Sequence, residues 1–171
     1  MRIAPLFASL FALMVFAAAA LPGASHAASH ASGGDKYVGY YYPPITSEET
    51  FSRVLTRAPN ARASVRTNFV TTITKAQLEA PESPRFVFFE KGADSETLVL
   101  IALDDEVFST LFRARAVLAQ ITSNLRGTKF FIDQNLNIEG TFYDMLQIMS
   151  FKTMIISDGR NWSHRVTFTK E

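Results

Sequence analysis

RFVFFEKGADSETLVLIAL, residues Arg85–Leu103, is the stretch whose reading decides the fold. Its two halves, Arg85–Lys91 and Thr97–Leu103, are crowded with aromatic and branched aliphatic residues. Gly92–Glu96 between them is small and polar. Two such runs joined by five residues containing Gly predict a β-hairpin. A second hairpin is predicted at the end of the chain, with arms Thr153–Ser157 and Ser163–Thr169 and its bend at Asp158-Gly159.

The sequence between the hairpins is helical in pattern. Val107, Leu111, Ala114, Leu118, Ile121 and Leu125 step by four, three, four, three and four, one apolar face. Asp104 and Asp105 stand where N-caps would, and Gly127 supplies a stop. Thr128–Asp133 reads as a short strand around Phe130-Phe131. Thr141 then caps a further helix with Phe142, Met145, Leu146 and Met149 on one face.

Before the first hairpin the pattern is less sharp. Thr46 and Glu49 have capping-box spacing, and Phe51, Val54, Leu55 and Ala58 follow at helical intervals up to Pro59, so a helix is expected there. For residues 63–80 the helix and strand readings stay open. Val65, Phe69 and Ile73 suit either, and the Thr and Val content favours a strand, with one helical turn from Thr74 to Gln77 before Pro81. Paired strands with helices between them imply an α+β domain: a mostly antiparallel sheet with about three helices packed on one face.

The N-terminus has a different character. Met1-Arg2 is followed by an uncharged apolar run from Ile3 to Leu21, then Pro22-Gly23, then Ser25-His26-Ala27. This is the order of a cleavable secretory signal peptide, so residues 1–27 are expected to be removed and the protein to be periplasmic or secreted, with no membrane attachment afterwards. Residues 28–35 form a small, polar leader. Residues 36–171 are expected to be a single globular domain, long enough to hold itself together by its core. Twelve of the 15 Phe lie beyond Ala27, and there is no Cys, which removes disulfides and thiolate chemistry as devices.

Beyond Ala27, 16 Lys and Arg balance 16 Asp and Glu. With no basic excess, nucleic acid is not an expected partner. Asp104-Asp105-Glu106 is the densest acidic cluster and is better read as helix capping than as a metal site. Met145, Met149 and Met154 read as core rather than as copper ligands, and no cofactor is expected. Arg115 lies close to the apolar stripe of its helix, where an acid could pair with it. His164 with Asp158 is the one candidate for a general base and its orienting acid, although no G-x-S-x-G elbow accompanies it. Tyr37, Tyr40, Tyr41 and Tyr42 before Pro43-Pro44 form a stiff aromatic segment suited to contact with a partner, either an envelope protein or a cell-wall component.

YYPPIT (Tyr41–Thr46), ITKAQL (Ile73–Leu78), EKG (Glu90–Gly92), TLFRARAVLA (Thr110–Ala119), TFYDMLQIMSF (Thr141–Phe151) and ISDG (Ile156–Gly159) with His164 together resemble a group of small exported proteins of Gram-negative bacteria without an assigned activity. The label "molybdopterin-guanine dinucleotide biosynthesis protein A" goes loosely with that group and would imply a role in molybdenum-enzyme maturation. The Gly-rich nucleotide loop that such a transferase needs is absent from this chain, so the label is a matter of naming rather than of chemistry. The expectation is an exported, non-enzymatic binding or accessory module, with a small periplasmic enzyme using His164 as the alternative.

Overall fold

The computed structural model describes residues 42–54 and 62–169, all within one compact unit. The expected signal peptide, the leader, Tyr37, Tyr40, Tyr41 and the Leu55–Pro59 end of the first expected helix lie outside the described residues.

The fold is α+β. Five strands, β1 (Ser47–Ser52), β2 (Phe86–Lys91), β3 (Thr97–Ala102), β4 (Thr153–Ser157) and β5 (Ser163–Thr169), form one sheet in the order β1-β5-β4-β3-β2. The two hairpins are where the sequence places them, β2 antiparallel to β3 and β4 antiparallel to β5. They lie side by side with β3 parallel to β4, and β1 joins the far edge parallel to β5. The sheet is therefore mixed rather than mostly antiparallel. The difference arises because β3 and β4 are joined by a long crossover that carries three helices, and such a connection returns the chain in the same direction.

Four helices accompany the sheet: α1 (Ala63–Glu79), α2 (Leu111–Leu125), α3 (Lys129–Asp133) and α4 (Phe142–Ile148). Each contributes to one core, in which Val70, Leu118, Phe131 and Met145 meet Leu98, Leu100, Met154, Ile156 and Val166 of the sheet. The opposite sheet face carries a small second cluster in which Tyr42 packs with Val99 and Ile155.

Three local expectations are corrected. Residues 47–52 are a strand, and the Thr46 hydroxyl caps no helix: it donates to the Ser163 carbonyl at 2.6 Å and accepts from the Ser163 amide at 3.1 Å. Residues 63–79 are one continuous helix despite their branched residues. Val65, Phe69, Val70 and Ile73 fall on the face that meets the core, and that burial outweighs intrinsic preference. Arg66, 3% exposed, anchors this helix by donating to the carbonyls of Asp94, Ser95 and Met149. Residues 129–133 are a helical turn rather than a strand. Thr128 caps it, accepting from the Phe131 amide, and Phe131 is fully buried.

Two elements start where a cap directs them. Helix α2 begins at Leu111 with Thr110 as cap, later than the Asp104-Asp105 position expected. Those acids are dispersed instead: Asp104 pairs with Arg85, Asp105 with Arg160 and Glu106 with Arg113. Helix α4 opens with a complete capping box between Thr141 and Asp144. Asp144, 1% exposed, also accepts from Arg53 Nη1 at 2.9 Å.

Candidate functional site

A groove of about 380 Å³ runs between the edge strand β1, helix α2 and the start of α4. Phe51, Leu118, Ala119, Phe142 and Tyr143 supply its apolar surface, and Glu49 and Arg115 its polar end. Strand alternation sends Glu49 and Phe51 toward the helices and leaves Glu48, Thr50 and Ser52 exposed on the other face. Phe51, Tyr143 and Phe168 meet edge to face, with ring centroids 5.1 to 6.1 Å apart, and make the groove floor rigid.

Glu49 is the centre of the polar network. Its Oε2 accepts from Arg115 Nη2 at 2.8 Å and its Oε1 from the Tyr143 hydroxyl at 2.9 Å. His164 Nε2 lies 3.5 Å from the same Oε1, and Ser47 Oγ lies 2.8 Å from His164 Nδ1. Register explains the cluster: Ser47 stands opposite His164 in the parallel β1–β5 pair, and Glu49 is the next residue of β1 on the same face. Burial by itself would push the Glu49 carboxyl up. The hydrogen bonds from Arg115 and Tyr143, with the charges of His164 and Arg115, more than offset that and hold it below its ordinary value. The Tyr143 hydroxyl is displaced the other way, raised by burial and then by the adjacent Glu49 carboxylate.

The residues singled out from the sequence are only partly brought together here. His164 is in the network but 1% exposed, stacked against Trp162 with ring centroids 6.2 Å apart. Asp158 does not take the orienting place expected of it. Its Oδ1 accepts from the amides of Arg160, Asn161 and Trp162 and closes the β4–β5 turn. Tyr42 is 3% exposed and belongs to the core. Met145, Met149 and Met154 are buried in the main core. Among the described residues, no three His, Asp or Glu side chains are grouped to hold a metal ion, and no helix is long and apolar enough to cross a membrane.

Arg115 does find its acid, Glu49. Nothing in the sequence marks Glu49, Ser47 or Tyr143: the strand that presents the first two has the spacing of a helix start, and a tyrosine in the first turn of a short helix is unremarkable. Two other clefts are lined by groups already bound within the fold, Arg66 on its carbonyls in one and the Arg53–Asp144 pair in the other. Comparison of the chain with models of protein families, with curated proteins and with solved structures gives no match.

Proposed function

We propose that the chain is exported and that its folded domain is a binding module of the cell envelope, using the groove between β1 and α2 as its binding surface. The observation that carries this reading is the groove's construction. Its apolar lining is held by a rigid aromatic floor, and its acid, Glu49, is already satisfied by Arg115 and Tyr143. A preformed surface of this kind loses little freedom when a partner settles on it. Of the N-terminal tyrosines, Tyr42 packs inward and is not available as contact surface.

The test is photo-crosslinking in intact cells. A photoreactive residue at Ala119, which lines the groove, should yield a discrete adduct with an envelope component. The same residue at exposed Glu82 should not. Equal adducts from both positions, or none from Ala119, would sink the proposal.

One observation favours an enzymatic reading: Ser47, His164 and Glu49 stand in the order hydroxyl, imidazole, carboxylate. Against it, the imidazole is sealed beneath Trp162, and a general base has to reach the proton it removes. A fluorophosphonate probe separates the two readings. Labelling of Ser47 that is lost on heat denaturation would favour the enzyme, whereas an unlabelled folded protein fits the binding module.

A further inference from the structure

We infer that the partner is an extended peptide segment of another protein, added to the outer edge of β1 as a sixth strand, with an acidic side chain set against Arg115. The inference rests on the groove being the binding surface and specifies what it takes.

The backbone is the first ground. The Phe168 amide donates to the Lys152 carbonyl and the Asp158 amide to the Trp162 carbonyl, so the even-numbered residues of β5 bond to β4. Its odd-numbered residues therefore turn toward β1. The parallel register then sends the N–H and C=O of Ser47, Glu49 and Phe51 toward β5 and those of Glu48, Thr50 and Ser52 outward. Among the described residues no strand pairs with that outer edge. Thr50 lines the groove although its side chain belongs to the other sheet face, which is where an outward-facing backbone would place it. The opposite edge of the sheet is treated differently: Gln77 of α1 donates to the Phe86 carbonyl of β2 at 2.8 Å. An unprotected edge is a template for another strand.

The groove and its charge define the side chains. A strand laid along β1 points alternate side chains to the helix side, where Phe51, Leu118 and Phe142 would meet apolar ones. Both Glu49 oxygens are already engaged, so Glu49 offers little to a partner. Arg115 is 59% exposed and spends one amino group on Glu49. The guanidinium presents further donors in a fixed fork, and its complement is a carboxylate. Glu49 is the third of six residues in β1, so the carboxylate falls mid-strand, which fits an acidic side chain within a continuing chain.

The probe is a capped heptapeptide in which threonine alternates with leucine, glutamate and leucine, titrated into protein purified from the cell envelope and followed by amide chemical shifts. Shift changes are expected at Glu48–Ser52 and at Arg115–Thr122. Thr50→Pro removes only an outward donor, so it should keep the fold and weaken binding at least tenfold. Ala119→Trp, which fills the groove, should do the same. Replacing the peptide's glutamate by glutamine should weaken binding at least fivefold, and by lysine more. If folded Thr50→Pro binds like wild type while Ala119→Trp does not, strand addition is wrong and the groove reading stands. If the lysine peptide binds as well as the glutamate peptide, the acidic partner is wrong. No binding to wild type, or shifts confined to another surface, overturns the inference, and an Ala119 adduct in cells would still separate that result from failure of the groove itself.

Discussion

Replacing Glu49 by glutamine keeps the size of the side chain and removes the charge that Arg115 and Tyr143 bind. The folded carboxyl sits below its ordinary value, so the folded state holds its proton less tightly than the unfolded chain does. The stability this contributes is present above the unfolded pKa and lost as pH falls through the folded one. Wild type should therefore be more stable than Glu49→Gln at neutral pH. Denaturant melts should show the gap closing through and below the ordinary glutamate range, about pH 4; a gap independent of pH would refute the role given to the charge. Asp144 is a harsher case. It is 1% exposed, accepts from Arg53 and from the Thr141 amide and hydroxyl, and closes the capping box of α4. Asp144→Ala removes one half of the capping box and the bond from Arg53 together, leaving the Thr141 cap on the backbone amide, and a loss of roughly 2–3 kcal/mol is expected by chemical denaturation. Asp144→Asn should recover part of it, because the amide oxygen can still accept from Thr141.

At the scale of elements, α1 is held by packing, by Gln77 on the Phe86 carbonyl and, in its buried part, by Arg66. Arg66 draws together the β2–β3 loop and the end of α4 through carbonyls of Asp94, Ser95 and Met149. Arg66→Met fits the volume but leaves those carbonyls short of a donor, and a loss of about 2–4 kcal/mol is expected. Hydrogen exchange in this variant should show α1 opening ahead of β3 and β4; uniform protection would count against Arg66 as its main anchor. That arginine also shows why this helix is hard to read. Its partners are 28 to 83 residues away, and the local sequence, with Thr67, Thr71, Thr72 and Thr74, favours a strand. The same holds for β1: Thr46 and Glu49 carry a local capping signal, and the Thr46 hydroxyl is taken by Ser163, 117 residues on. Where the deciding contacts are local, the sequence is legible. Both hairpins stand as read, and so does the Thr141-capped helix, whose cap and core face lie within one short segment. Asp104 and Asp105 misplace the start of α2 because each is claimed by an arginine rather than by the helix end. Of the candidate site, His164 and Arg115 were visible as residues that need a partner, and the identity of that partner depends on register alone.

For the molecule as a whole, the absence of Cys leaves packing to hold the domain, in the described residues mainly that of four helices on a five-stranded sheet. Thermal melts with and without reductant should coincide, and a shift on reduction would contradict a fold independent of thiols. If the export proposal holds, N-terminal sequencing of envelope protein should read from Ala28, and a start at Met1 would refute cleavage. The place of β1 in the sheet also sets an order of events. Among the described residues its neighbour is β5, the last of the five strands, so β1 and the Glu49–His164 contact close a loop of more than 110 residues. Contacts of such separation form late. A chain still emerging from a ribosome, before β5 is made, can build the β2–β3 hairpin but lacks the strand on which β1 is seated. The groove thus comes into being only once β5 has been made, and a chain without β5 presents neither the edge nor Arg115 against Glu49. A chain stopped after Asp158 should leave residues 47–52 open to protease while Phe86–Ala102 stays protected, and binding competence would then report the arrival of β5.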